Sequence, residues 1–168
     1  MIEPMNTPTK IKVGDALPTA TFRHMTAEGV KPITTAELFG KGKTVLFAVP
    51  GAFTPTCSNV HLPGFEKHAA EFKAKGVTTI ACVSVNDAFV MDAWAKAHNV
   101  HGKVAMLADG NGDFTKAVGL VLDGSGHGLG SRSQRYAMIV DDGVVKTLAV
   151  EAPGKFEVSK AEAVLEAL

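Results

Sequence analysis

A short apolar run that ends at a proline and a glycine constrains the fold of this chain more than any other feature. Residues 44–49 read TVLFAV and are followed directly by the Pro-Gly pair. Such a run, with β-branched members and no polar alternation, is typical of a strand buried on both faces of a parallel sheet. Apolar residues then recur at Phe65, Ala69 and Phe72 among charged ones, which predicts an amphipathic helix. A buried strand followed by a helix indicates an α/β fold.

Cys57 lies between this strand and the helical pattern, in or beside the first turn of the helix. Free amide N–H groups and the positive end of the helix dipole favour a negative charge there, so the thiol should lose its proton easily. The hydroxyls of Thr54 and Thr56 can cap the helix, donate to a thiolate or hold a small polar substrate. The alternative is a small buried hydrophobic residue, the commoner fate of a lone cysteine. Its place at the carboxyl edge of a parallel strand favours the reactive thiolate.

Several segments together carry a signature that spans nearly the whole chain. They are PGAFTPTC at residues 50–57 with HLPGF at 61–65, ACVSVNDAFV at 81–90, LGSRSQRYA at 129–137 and DGVVK at 142–146. In this order they resemble the peroxiredoxins, specifically the type-5 branch that includes the plant type II enzymes. The resemblance implies a thioredoxin-like α/β fold with N-terminal β additions and a central mixed sheet flanked by helices. It also implies a homodimer.

The resemblance implies roles for four residues. Cys57 matches the peroxidatic cysteine, Thr54 the residue whose hydroxyl contacts thiolate and peroxide, and Pro50 the ring that shields the pocket from water. Arg135 matches the arginine that pairs with the thiolate and the peroxide oxygens; without the resemblance it reads as a solvated base at a strand start. In this chemistry the thiolate attacks one peroxide oxygen, and a guanidinium stabilises the charge on the departing oxygen. Cys57 becomes a sulfenic acid that a second thiol must reduce before overoxidation.

The source of that second thiol is an open question in the sequence. Cys82 lies in an apolar run over 77–85 that predicts a neighbouring parallel strand, so core packing is its simplest role. Mammalian type-5 relatives carry a resolving cysteine near the C-terminus, where this chain has Ser159. Residues 159–162 fit a capping box, which predicts that Ser159 starts the last helix. Resemblance to the plant type II pattern then implies an external reductant: glutaredoxin with glutathione, or thioredoxin.

The remaining pattern predicts the order of the elements. Strands are predicted over 21–25, 31–34, 77–85, 104–107, 135–141 and 144–150, and helices over 87–98, 114–118 and at the C-terminus. The last two strands form a hairpin about Asp142-Gly143. Asn86 is a possible cap of the helix over 87–98. The expected apolar face of that helix holds Phe89, Ala93, Trp94 and Ala97.

Four further features carry weaker predictions. Pro63 lacks an N–H for the carbonyl of Asn59, so it should kink or loosen the helix after Cys57. His61 suggests a base or a metal pair with Cys57, but an ordinary surface or core-edge histidine is favoured because no further ligands follow at metal spacing. His98 and His101 follow a helix end near Asn99, where a cation suits the dipole. The glycine-rich run 124–130 lacks the ending of a phosphate loop and predicts a mobile loop.

Composition limits the domain organisation of the chain and the classes of partner it can bind. The chain has 168 residues, 46% of them hydrophobic, and a formal net charge of zero. This predicts one α/β domain over residues 1–168 and argues against nucleic acid and anionic membranes as partners. The N-terminus is polar without an apolar signal segment, which predicts a cytoplasmic protein. No cofactor and no metal is implied.

The sequence supports two hypotheses about function. The favoured one is a thiol-dependent peroxidase acting on hydrogen peroxide and organic hydroperoxides through Cys57. The alternative is a redox sensor or holdase, in which oxidation of Cys57 switches partner binding without efficient turnover. A thiol–disulfide oxidoreductase is disfavoured because it normally needs a paired cysteine in a CxxC motif, and residues 58–60 contain none.

Overall fold

The structure, a computed structural model, describes residues 10–100 and 102–168. The strands are β1 (Thr21–Thr26), β2 (Gly29–Thr34), β3 (Lys43–Ala48), β4 (Val77–Ser84), β5 (Ala105–Ala108), β6 (Val121–Asp123), β7 (Ser131–Ser133), β8 (Tyr136–Asp141) and β9 (Val144–Val150). The helices are α1 (Thr35–Phe39), α2 (Leu62–Lys67), α3 (Ala69–Ala74), α4 (Ala88–Ala97), α5 (Asp113–Ala117) and α6 (Ala161–Glu166). A π-helical turn, Cys57–His61, precedes α2. The interpretations of His101 and of the segment before residue 10 fall outside the described residues.

A seven-stranded mixed sheet in the order β2-β1-β5-β4-β3-β8-β9 forms the centre of the fold. The strands β3, β4 and β5 are parallel, whereas β8 runs antiparallel to β3 and the N-terminal β1–β2 hairpin joins the edge at β5. This is the thioredoxin-like α/β architecture with N-terminal β additions, so the predicted fold class is confirmed. Within the described residues, no helix has the length and apolar character needed to cross a membrane.

Alternating side chains of β3 divide the core into two layers. Val45 and Phe47 point to one face of the sheet, where they pack with α2, α3, α4 and α6. Leu46 and Ala48 point to the other face and pack with α1 and α5. Because successive residues of a strand face opposite ways, a run apolar on both faces requires helices on both sides. Cys57 belongs to the first layer, over the carboxyl end of β3.

The predicted hairpin between the last two strands is confirmed. Asp142 and Gly143 both have positive φ angles, 48° and 80°, which is the conformation that a two-residue hairpin turn requires. The turn pairs β8 with β9, and the other side of β8 pairs antiparallel with β3, where Tyr136 lies opposite Ala48. Arg135, one residue before Tyr136, therefore lies beside the loop that leaves β3. This pairing brings Arg135 to Cys57, which is 78 positions earlier in the sequence.

The apolar face predicted for α4 is correct at Trp94 and wrong at Phe89, Ala93 and Ala97, which are exposed. Phe89 is 69% exposed, and the buried residues of α4 are Ala88, Met91, Trp94 and Ala95. The helix is apolar on most sides, so its periodicity did not select the face that meets the sheet. Its cap is Asp87, whose Oδ1 accepts from the N–H of Val90 at 2.8 Å, rather than Asn86.

The glycine-rich run is the loop of a short hairpin that the sequence pattern did not predict, and its mobility stays a prediction. It forms the end of a two-stranded hairpin in which β6 pairs with β7, and residues Ser125–His127 make a 3-10 turn. The N–H of Gly124 donates to the carbonyl of Gly130 at 2.7 Å and closes the hairpin. Strands of three residues each are too short to give a period that a sequence pattern can reveal.

Candidate active site

The loop after β3 is held in place by contacts to two other parts of the chain. The carbonyl of Pro50 accepts from Nη1 of Arg132 at 3.3 Å. The N–H of Ala52 donates to the side-chain oxygen of Asn86 at 3.0 Å. Asn86, expected to cap α4, thus anchors this loop instead. The loop ends at Thr54, directly before the helical residues 55–56 that lead into Cys57.

Thr54 makes a local contact in this structure. Its hydroxyl donates to the carbonyl of Gly51 at 2.7 Å, and its own carbonyl accepts from the N–H of Ser58 at 2.9 Å. A Cβ added to Gly51 would lie 3.0 Å from Nη1 of Arg132 and 3.1 Å from Cγ2 of Thr54. The turn is therefore packed so closely that only glycine fits without displacement. The proposed contact of Thr54 with thiolate and peroxide stays a prediction.

Cys57 begins a π-helical turn. The N–H of Leu62 donates to the carbonyl of Cys57, five residues earlier, where an α-helix would use the residue four earlier. Pro63 follows directly and has no N–H to donate. The distortion expected from Pro63 thus takes the form of a widened turn. In this turn Cys57 and His61 are both fully buried and both contact the same arginine.

Arg135 reaches the sulfur of Cys57. Its Nη2 donates to Sγ at 3.0 Å, and its Cζ lies 5.9 Å from the centre of the Phe156 ring. A guanidinium is permanently charged and donates only, so this contact stabilises a thiolate more than a neutral thiol. The structure therefore brings together Cys57 and Arg135, which the resemblance paired.

His61 is a residue whose part in the site the sequence interpretation missed. It is completely buried, and its Nδ1 accepts from Nη1 of Arg135 at 2.8 Å. Because Nδ1 is the acceptor, Nε2 carries the proton and donates to the carbonyl of Ser159 at 3.0 Å. Burial first, and then the Arg135 charge, lower the pKa of His61 to about 3. A neutral His61 thus fixes the guanidinium that contacts Cys57.

The spacing of His61, four residues after Cys57, was the only sequence signal for this arrangement. It indicated a shared helix face but not Arg135 and Ser159, which lie 74 and 98 residues away. Within the described residues, no group of three or more His, Cys, Asp or Glu side chains is arranged to hold a metal ion.

Ser159 does not cap the last helix, so the predicted capping box is wrong. α6 begins at Ala161, and Lys160 precedes it without a side-chain cap bond. The hydroxyl of Ser159 instead donates to Oε2 of Glu151 at 2.7 Å, and Ser159 is buried. The acceptor lies eight residues earlier, outside the span of a capping box, so that pattern could not reveal it.

Cys82 lies in the core with no partner sulfur, and both Cys57 and Cys82 are free thiols. It stands opposite Phe47 in the pairing of β3 with β4 and is fully buried. Burial, and secondarily the neighbouring Cys57, raise the pKa of the Cys82 thiol well above its ordinary value. A buried thiol of this kind is a poor nucleophile, in agreement with a packing role.

Comparison with known proteins places this site in context. The sequence model of the redoxin family matches residues 12–165. Peroxiredoxin-2E, chloroplastic, from Arabidopsis thaliana is 51% identical over 162 residues, which cover 94% of this chain and 69% of that protein.

Two crystal structures have the same fold. The structure of reduced Prx3 from Vibrio vulnificus in complex with H2O2 superposes with a TM-score of 0.90 at 58% identity, covering 94% of this chain and 98% of that one. The structure of peroxiredoxin 5 from Alvinella pompejana superposes with a TM-score of 0.81 at 39% identity, covering 94% and 97%.

Proposed function

Because this chain belongs to the redoxin family and, within it, to the peroxiredoxins, we propose that it reduces hydrogen peroxide and organic hydroperoxides at Cys57 with electrons from an external thiol. The observation that carries the proposal is the 3.0 Å contact between Nη2 of Arg135 and Sγ of a buried Cys57. The Vibrio vulnificus relative, crystallised with H2O2, supports peroxide as the substrate.

The first step is a displacement at the peroxide oxygen. The Cys57 thiolate attacks one oxygen of the substrate, an S–O bond forms, and the O–O bond breaks. The thiolate sulfur is oxidised to a sulfenic acid, and the departing oxygen leaves as water or an alcohol after it takes up a proton. Arg135, held by His61, stabilises the negative charge that builds on that oxygen. We assign Thr54 to positioning the peroxide and Pro50 to shielding the pocket.

The second step needs a thiol from another molecule. Cys82 is buried in the core, and Ser159 stands where some relatives carry a resolving cysteine. An incoming thiol attacks the sulfenic sulfur, releases water and forms a mixed disulfide, which a second thiol then reduces. We propose glutaredoxin with glutathione, or thioredoxin, as the source of these thiols. A Cys82→Ser variant that lost turnover but kept the first oxidation would contradict an external reductant.

A turnover assay tests this function. Purified protein with glutaredoxin and glutathione, or with thioredoxin, is expected to consume many equivalents of peroxide. Cys57→Ser is expected to consume none, and Cys82→Ser is the matched control that removes the other thiol. Stoichiometric oxidation without turnover under every reductant would contradict the enzyme and favour the sensor or holdase.

We also propose a homodimer formed through an apolar surface beside the active-site loop. Phe53 is 54% exposed with a φ of 64°, a strained conformation for a bulky residue, and Phe89 is 69% exposed. The hydrogen bond between Ala52 and Asn86 ties the Phe53 loop to the segment that leads into α4. Exposed aromatic rings near a loop of this kind are typical of a protein interface.

We propose a cytoplasmic location, supported by two free cysteines and the absence of a disulfide in the described chain. The Arabidopsis thaliana relative carries a chloroplastic designation, so the compartment needs its own test. Cell fractionation with an antibody to the native protein is expected to recover it in the cytosolic fraction, and recovery in an organelle would contradict the proposal.

A further inference from the structure

The carboxylate of Glu151 organises a segment near the C-terminus. It accepts from the backbone N–H groups of Glu157, Val158 and Ser159 at 2.8–2.9 Å. It also accepts from the hydroxyl of Ser159 at 2.7 Å. Glu151 is nearly buried, and these hydrogen bonds outweigh its burial and lower the pKa of its carboxyl group. The carboxylate therefore stays charged near neutral pH and fixes three consecutive peptide groups.

This segment leads directly to the active site. Ser159, held by Glu151 through both its N–H and its hydroxyl, offers its carbonyl to Nε2–H of His61 at 3.0 Å. His61 then accepts from Nη1 of Arg135, whose Nη2 reaches Cys57. Phe156, in the same segment, contacts His61 edge-on with ring centres 5.0 Å apart.

A second link, between backbone groups, also joins Glu151 to Arg135. The N–H of Glu151 donates to the carbonyl of Arg135 at 3.0 Å, because β9 ends opposite the start of β8. The main chain of Arg135 is therefore tied to Glu151 directly, and its guanidinium is tied to Glu151 through His61 and Ser159. Because Arg135 is held at both its main chain and its guanidinium, its side chain is restricted more than by a single contact.

Building on the proposed peroxidase function, we propose that Glu151 is a positioning residue for the reaction at Cys57, acting through Ser159 and His61 on Arg135. If the role of Glu151 were purely structural, Glu151 would only hold the C-terminal segment in place. A positioning role requires that the effect of Glu151 on Cys57 depend on His61.

The test is a double-mutant cycle built from Glu151→Gln and His61→Phe. Glutamine keeps the shape of Glu151 but replaces one acceptor oxygen by a donor, which opposes the backbone N–H groups. The readouts are the rate constant of Cys57 oxidation by hydrogen peroxide and the pH profile of Cys57 alkylation by iodoacetamide. Alkylation needs no peroxide, so it tests positioning even if the peroxidase function fails.

We expect Glu151→Gln to slow peroxide oxidation about ten-fold or more and to move the alkylation profile toward higher pH. In the His61→Phe background the same substitution should change either readout less than two-fold, because the path to Arg135 is already broken. Glu157→Gln is the matched control, since that exposed side chain lies in the same segment. It is expected to leave both readouts unchanged.

Two results would overturn the proposal. One is a folded Glu151→Gln protein with a rate and an alkylation profile like those of the unsubstituted protein. The other is an equal loss in both backgrounds. If Glu151→Gln does not fold, Ser159→Ala decides: it removes one hydrogen bond to the carboxylate and keeps the carbonyl for His61. A three-fold or larger slowing that vanishes with His61→Phe supports the proposal, and an unchanged rate contradicts it.

Discussion

At the scale of single residues, the site depends on how one arginine is held. Arg135 is fixed between the sulfur of Cys57 and the imidazole of His61, which stays neutral because it is buried beside a cation. The sequence indicated Cys57 from its local setting, whereas Arg135 was found only through family resemblance. His61 was misjudged, because its partners are distant in the chain and its burial depends on packing that no local pattern encodes.

Acid is expected to destabilise the protein through His61. In the unfolded chain this histidine has its ordinary pKa of 6.5, whereas in the folded protein its pKa is about 3. Between these values the unfolded state binds the extra proton, so stability present above pH 6.5 is lost as the pH falls toward 3. His61→Phe should reduce the slope of unfolding free energy against pH in this window by up to about 1.4 kcal/mol per pH unit.

Urea unfolding at a series of pH values measures this slope. His68→Gln is the control of opposite sign, because hydrogen bonding to Glu71 raises the pKa of His68. Its stabilisation is present below pH 6.5 and lost as the pH rises through its folded pKa. An unchanged slope in His61→Phe would show that His61 is protonated in the folded protein.

Tyr136 is buried with its hydroxyl unpartnered among the described residues. Burial, and then the charge of Asp109, raise the pKa of this phenol. An unsatisfied buried hydroxyl costs roughly 1–3 kcal/mol, so its removal is favourable when the ring is kept. Tyr136→Phe is expected to leave stability unchanged or to raise it by about 1 kcal/mol in urea unfolding. A loss of more than about 1 kcal/mol would reveal a partner for the hydroxyl.

At the scale of elements, strands and turns were predicted more reliably than helix faces. The strands β3 and β4 and the final hairpin follow from apolar runs and an Asp-Gly turn, which are local signals. The exposed face of α4 and the role of Ser159 depend on which side meets another element. The short strands β6 and β7 lack enough residues to show a period.

The π-helical turn at Cys57 is expected to open when the cysteine is oxidised. Pro63 offers this turn no N–H donor, and in the proposed function the sulfenic acid of Cys57 must become accessible to a protein reductant. Hydrogen exchange of the amides from 57 to 61 should therefore be faster in the oxidised protein than in the reduced one. The amides of β4, in the central sheet, serve as the internal reference. Equal protection of residues 57–61 in both states would contradict unwinding.

At the scale of the whole molecule, strand pairing in the sheet brings the segments that carry Arg135 and Glu151 to the end of β3, next to Cys57. Antiparallel pairing of β8 with β3 carries Arg135 to Cys57, and β9 carries Glu151 back to Arg135. The fold class was predictable because alternating strands and helices require layers on both sides of the sheet. The organisation of residues 1–168 as one domain stays a prediction, which coincident unfolding transitions by fluorescence and circular dichroism would support.

The proposed dimer gives a further expectation at this scale. Phe89→Glu places a charge on the exposed apolar surface and should convert a dimer to a monomer in light scattering coupled to size-exclusion chromatography. Val13→Glu is the matched control, because Val13 is 57% exposed and lies in the N-terminal segment. A monomeric unsubstituted protein, or a Phe89→Glu variant that remains dimeric, would contradict the interface.

The most direct test of the central claim is the rate at which peroxide oxidises Cys57 in the presence and absence of the Arg135 contact. The only tryptophan of the chain, Trp94, donates to the hydroxyl of Ser58 at 3.0 Å, so its fluorescence reports on the neighbouring cysteine. In stopped flow, hydrogen peroxide should produce a rapid fluorescence change that Cys57→Ser abolishes. Arg135→Lys, which keeps the charge but loses the two-sided contact, should slow it by about a hundred-fold. A rate in Arg135→Lys equal to that of the unsubstituted protein would contradict the account.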